Sequence, residues 1–166
     1  MIKKLVIFIL FFFDYFHNKK IFHFLKKKNL TNFNVFFDIG AHKGESINLF
    51  LKNLKINEIV SFEASPKNFL LLKKNELKIK KKYKNTKIIL ENIALGSEKK
   101  TAILKQMMES SSTTFKNINK NSSYFKKKFM ILNLLNTEKL YDQVEIKMET
   151  LKNYITSNKY KNIDFI

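Results

Sequence analysis

The chain contains no cysteine, which removes disulfide frameworks, cysteine nucleophiles and thiolate-ligated zinc or iron-sulfur centres from consideration. It contains no arginine either: all 32 basic residues are lysine. Arginine's planar fork makes the bidentate contacts that read bases and phosphates, and a lysine ammonium does not reproduce them. With one proline and three glycines, no proline- or glycine-rich linker divides the chain, and no internal repeat is present. The three histidines, His17, His23 and His42, are not spaced with carboxylates as metal ligands, so no structural metal is expected. No apolar run reaches the length of about 20 residues that a membrane-spanning helix needs.

What remains is a chain of 166 residues with 45% hydrophobic residues, enough to bury one core. One domain is expected, residues 31–166, preceded by an apolar and basic helical segment, residues 1–30; a second catalytic domain does not fit. The formal net charge is +18, which ordinarily points to a polyanionic partner. Here the lysines are spread along the whole chain, and isoleucine, asparagine and phenylalanine are also abundant, the signature of codon usage in an AT-rich genome. The charge therefore reads as solvated surface, and no specific nucleic-acid partner is expected.

Residues 5–13 are continuously apolar behind Lys3 and Lys4, and Asp14 ends the run. Their length suits a signal peptide, yet bulky Asp14, Tyr15, Phe16 and His17 stand where a small-residue cleavage site would be, which disfavours secretion. Two readings stay open. Residues 1–28 form either an interfacial helix, with Lys19, Lys20 and Lys26 to Lys28 near anionic lipid, or a helix packed on the following domain. A cytoplasmic protein, free or associated with the membrane surface, fits both.

From residue 33 onward, apolar runs alternate with helix-like stretches, the pattern of a parallel sheet flanked by helices. Residues 33–39 read as a buried strand ended by Gly40. Residues 45–54 read as a helix, with Ile47, Phe50, Leu51 and Leu54 on one face. A second strand is expected over 58–63 and a helix opening at Pro66, where a missing amide proton costs nothing. A third strand follows over 86–90. The order implies right-handed crossovers. Residues 101–106 look extended, 110–114 form a polar loop, and 115–140 show short helical patches. Residues 144–148 alternate like a strand, 151–157 suit a short helix, and 163–166 begin another apolar strand.

The first strand runs into Asp38-Ile39-Gly40-Ala41-His42-Lys43-Gly44-Glu45, a glycine-containing turn leading straight to a helix. Gly40 permits a tight turn and a close approach of backbone to a ligand; Gly44 lets the helix start near the sheet. The helix N-terminus presents free amides to an anionic group. The three residues between Gly40 and Gly44 exclude the G-x-G-x-x-G dinucleotide fingerprint, and no Gly-Lys-Ser/Thr follows to make a phosphate-binding P-loop. A second acid, Glu63, stands at the end of the second strand in Ser61-Phe62-Glu63-Ala64-Ser65-Pro66. In a doubly wound fold, an acid some 20 positions after a glycine-containing turn pairs with ribose hydroxyls.

These segments, with Asn92-Ile93-Ala94-Leu95-Gly96, Ser110-Ser111-Ser112 and Met148-Glu149-Thr150-Leu151, resemble in order those of the FkbM family of S-adenosylmethionine-dependent methyltransferases. The resemblance implies an α/β fold of the Rossmann-like class I methyltransferase type, a parallel sheet with flanking helices, incomplete at its C-terminal side and preceded here by the N-terminal helix. It implies S-adenosylmethionine as cofactor. Asp38, Gly40 and Gly44 would hold its methionine and ribose part, with Ala41 and His42 in the same loop. Glu63, beside Ala64, would hold the ribose hydroxyls, and Asn92 and Ala94 would lie near the adenine. Ser111 and Ser112 match a loop near the active-site mouth. The family often has asparagine at the position of His42, which therefore reads as a loop residue near the cofactor, with general-base catalysis the lesser option. Lys152 and Asn153 stand where family members usually carry acidic residues.

The implied function is methyl transfer, with an oxygen of a sugar, glycolipid or small-molecule acceptor as the expected target. No residue is assigned as catalytic, and the acceptor, the proton acceptor and the oligomeric state are unassigned. Two other classes compete with it: an inactive truncated fragment of such an enzyme, since an apolar sheet edge would be exposed after residue 166, and a lysine-rich membrane-surface binding protein.

Overall fold

The computed structural model describes residues 16–107 and 141–166, together with 115, 119, 121–123, 126 and 127 between them. The apolar run 5–13, the serine loop 110–114 and most of 115–140 lie outside the described residues. In chain order the elements are helix α1 (residues 16–27), β1 (Asn32–Ile39), α2 (Glu45–Asn53), β2 (Lys55–Phe62), α3 (Pro66–Lys82), β3 (Lys87–Glu91), β4 (Ala94–Gly96), β5 (Lys100–Met107), β6 (Tyr141–Thr150) and α4 (Leu151–Ser157).

Strands β1, β2 and β3 form a parallel sheet in that order. Their near-continuous apolar character follows from coverage on both faces. The register sets Phe36 beside Ile59 and Ile59 beside Ile88, then Phe37 beside Val60 and Val60 beside Ile89. Because strand side chains alternate, the first row enters one core and the second row another. Phe36, Ile59 and Ile88 pack with Ile47 and Leu51 of α2, Leu72 and Ile79 of α3, and Phe22 and Leu25 of α1. Phe37, Val60 and Phe62 pack on the other face against Tyr154 of α4, with Ile155 and Tyr160 beside it. The sheet thus lies between two helical layers. Each fully buried Phe, Ile or Leu contributes on the order of 1.5–3 kcal/mol.

Local signals explain where the helices start. Ser65 caps α3 by accepting the Asn68 amide, Pro66 occupies the first turn, and Lys80, Lys81 and Lys82 sit in the last turn, where cations favour the helix dipole. Thr150 caps α4 in the same way through the Asn153 amide, at 3.0 Å. On α1, Phe22 meets Phe50 edge to face at 6.5 Å between ring centroids.

The strand expected over 163–166 reduces to one parallel bridge between Phe36 and Phe165. There the Phe37 amide donates to the Phe165 carbonyl at 2.9 Å, and the Asp164 carboxylate accepts the amides of Asn34 and Val35. The Phe165 ring stacks on Phe36 at 4.8 Å. A second sheet has the order β4-β6-β5, with β4 parallel and β5 antiparallel to β6. Its buried side, Ala94, Leu104 and Ile146, adjoins the carboxyl ends of β1 and β2 through the cleft described next. Among the described residues, no helix is long and apolar enough to cross a membrane.

Candidate functional site

Open parallel sheets place ligand clefts beyond the carboxyl ends of their strands. A cleft of about 400 Å³ lies there, within the range of small-molecule sites. Its apolar walls come from Ile39, Phe62 and Ala64 on one side and from Ile93, Ala94, Leu95 and Leu104 on the other, with Phe115 also on the lining. Its polar groups are Glu63, His42, Ser65 and Asn68.

The loop after β1 is pinned to the end of β2: the Gly40 and Ala41 amides both donate to the Phe62 carbonyl, at 2.8 and 3.0 Å. Three of its residues take positive φ, Gly40 at 95°, His42 at 51° and Gly44 at 95°. This tight turn directs the His42 amide at Glu63 Oε2, 2.8 Å away, while the Ser65 amide donates to Oε1 at 2.9 Å. The buried Glu63 carboxylate therefore ties the two loops that flank the cleft. A carboxylate has about four lone-pair sites, so two amide donors leave acceptor capacity at the cleft. Behind it, Asn92 donates through Nδ2 to the carbonyls of Glu63 at 2.7 Å and Ala64 at 3.4 Å. That clamp ties the β2–α3 loop to the end of β3.

Asp38 is buried at the tip of β1 but does not line the cleft. Its Oδ2 accepts the hydroxyls of Ser46 at 2.8 Å and Ser61 at 3.3 Å, so it fastens α2 to the sheet beside the glycine turn. Burial raises its carboxyl above the ordinary range; the two serine hydroxyls pull the other way, and the nearby Glu63 charge adds to the upward push. His42 lies on the lining with Nδ1 at 3.3 Å from both carboxylate oxygens of Glu45. Among the described residues, no group of three or more His, Asp or Glu is gathered as metal ligands.

Gly40, His42, Glu63, Ala64 and Ala94 thus share one cleft, whereas Ala41, Gly44, Asp38 and Asn92 support it from behind. Ala41 is fully buried in the core under the helices. A Cβ on Gly44 would stand 3.0 Å from both Leu72 Cδ1 and Ile79 Cδ1, so this glycine lets α2 start close to α3; at Gly40 a Cβ would meet nothing within 4 Å. Ser111 and Ser112 lie outside the described residues. Sequence reasoning misses Ser65, Asn68 and Gln106, a buried polar group in which the Ser65 hydroxyl donates to Gln106 Oε1. A signal is present: Gln106 continues the inward row Ala102, Leu104 on β5, and a polar residue in such a row needs a buried partner.

Residues 38–166 match the family model of the methyltransferase FkbM domain. No curated protein and no solved structure matches the chain.

Proposed function

The chain belongs to the family of FkbM-domain methyltransferases, and from that premise we propose that the cleft binds S-adenosylmethionine as methyl donor. The observation that carries the reading is the Glu63 carboxylate, buried at the tip of β2, oriented by the His42 and Ser65 amides and facing the same cleft as Gly40. The parallel order of β1 to β3, the helices on both faces and the cleft at the carboxyl ends support a Rossmann-like fold of the class I methyltransferase type.

The residues present fit an adenosyl ligand. Glu63 accepts the two ribose hydroxyls with its remaining lone pairs, a pairing that a ribose phosphate would disfavour. Ile93, Ala94, Leu95 and Leu104 supply an apolar slot suited to a purine ring. Gly40, with open space where a Cβ would point, allows the ligand to lie against the backbone. Asp38 acts one step back, through Ser46 and Ser61, by fixing the turn that carries Gly40 and His42.

Bound there, S-adenosylmethionine supplies a sulfonium methyl group for in-line displacement by an acceptor nucleophile. The protein's part is to hold donor and acceptor in line and to exclude water. An oxygen of a sugar, glycolipid or small molecule is the acceptor that the family suggests. The test is calorimetry with S-adenosylmethionine on the whole chain and on Asp38→Ala and Glu63→Ala. A saturable heat that falls tenfold or more in affinity in Glu63→Ala supports the reading, since a hydrogen bond to a charged group is worth roughly 1.5–3 kcal/mol. Absence of heat from the unmodified chain refutes it.

A further inference from the structure

Helix α1 is held to the domain by Phe22 and Leu25, both buried. Residues three apart share a helix face, so these two anchors fix the rotation of the helix and determine what it shows to solvent. Ile21 and Phe24, also three apart, are turned outward, 40% and 55% exposed. Beside them stand Lys20, Lys27 and, in the turn that follows, Lys28, all exposed, while Lys19 and Lys26 lie on the other flank, where with Phe22 they line a cavity against α2. No Asp or Glu occurs from Phe16 to Phe37, and no described carboxylate pairs with any of these lysines. The Lys28 ammonium lies 6.0 Å over the Phe24 ring, so charge and apolar surface are interleaved.

We propose that this outward face of α1 docks on an anionic bilayer surface, a property separate from methyl transfer and independent of it. Charge complementarity favours this occupant: Lys20, Lys27 and Lys28, none paired with an acid among the described residues, attract anionic headgroups, and long lysine stems let the ammonium groups sit at headgroup level while Ile21 and Phe24 enter the acyl boundary. Nucleic acid fits less well: an exposed Ile gains nothing from it, a lone Phe offers stacking only to an unpaired base, and the missing arginines remove the best readers of bases and phosphates. The continuously apolar residues 5–13 stand just upstream of the helix in sequence, separated from it by Asp14 and Tyr15, and extend the apolar signal at the same end of the chain.

Co-sedimentation of the whole chain with vesicles tests this. Neutral phosphatidylcholine vesicles are compared with the same vesicles doped with phosphatidylserine, using the unmodified chain, Ile21→Gln/Phe24→Gln, Lys20→Gln/Lys27→Gln, and Lys78→Gln/Lys84→Gln as a control that removes equal charge elsewhere. Circular dichroism verifies that each variant is folded. The unmodified chain and the control should bind doped vesicles, and both α1 variants should bind them about tenfold or more weakly, each lysine near the surface being worth roughly fivefold. Equal binding by the α1 variants, a control as weak as Lys20→Gln/Lys27→Gln, or equal binding to neutral vesicles would overturn the proposal. A dimer in sedimentation velocity that Ile21→Gln/Phe24→Gln dissolves, without vesicle binding, would instead assign the face to a second copy of the chain.

Discussion

Gly40 and Gly44 belong to one turn and share one backbone geometry, φ 95°, yet alanine should affect them differently. An L-residue forced into the left-handed region costs about 1–2 kcal/mol, and both variants incur this. At Gly44 the new methyl meets two buried side-chain ends, Leu72 Cδ1 and Ile79 Cδ1, each at 3.0 Å. Such crowding in a packed core adds about 1–3 kcal/mol. Gly44→Ala should therefore lose about 2–5 kcal/mol of stability and Gly40→Ala about 1–2 kcal/mol. At roughly 2–4 °C per kcal/mol for a chain of this size, the melting temperatures should fall by about 4–20 °C and about 2–8 °C respectively. Ligand affinity should show the opposite order, because the Gly40 methyl points into open space at the cleft and the Gly44 methyl does not. Urea unfolding followed by circular dichroism gives the first comparison, and calorimetry with S-adenosylmethionine the second. If Gly44→Ala were as stable as Gly40→Ala, the close packing of α2 on α3 would not be what requires a glycine there.

Asp38→Asn should stabilise the protein at pH 7 and progressively less towards pH 4. The folded carboxyl titrates above its ordinary range, so its contribution is favourable while it is protonated and is lost as pH rises through the folded value; a gap that widens on acidification contradicts this. Tyr154→Phe should lower stability by about 1–3 kcal/mol, because the hydroxyl donates to Glu91 Oε1 at 2.9 Å in a site whose burial, helped by Glu91, raises the phenol well above its ordinary range; an unchanged urea midpoint would refute it. Asn92→Ala should weaken S-adenosylmethionine several-fold in calorimetry while shifting the unfolding midpoint little, since its amide spans the carbonyls of Glu63 and Ala64 rather than filling the core; wild-type affinity would show that this loop needs no clamp.

Much of the parallel unit is legible because its elements carry mutually consistent signals. Residues 151–157 read as a helix, and α4 has those bounds, set by the Thr150 cap. The helix opening at Pro66 and the glycine turn are equally clear. Strand β2 begins at Lys55 rather than 58, because Lys55 and Asn57 look polar although Ile56 between them is buried. Strand β4 escapes sequence reasoning: three residues, Ala94 to Gly96, are too few to show a period, and their pairing with Met148 to Thr150 is made with a strand more than fifty positions away. For the same reason the apolar wall of the cleft is only partly visible, since Leu95 and Leu104 are brought to it by the pairing of β4 and β5 with the distant β6. The two acids stand out by position, but only coordinates separate Glu63, which faces the cleft, from Asp38, which is turned to Ser46 and Ser61.

The central claim is that Glu63 accepts ribose hydroxyls, and a double-mutant cycle between protein and ligand tests it most directly. Calorimetry would compare S-adenosylhomocysteine with its 2′-deoxy analogue on the unmodified chain and on Glu63→Gln. Loss of the hydroxyl should weaken binding roughly tenfold to a hundredfold in the unmodified chain and far less in Glu63→Gln, leaving a coupling energy of about 1 kcal/mol or more. An equal loss in both proteins would mean that the carboxylate does not touch the ribose.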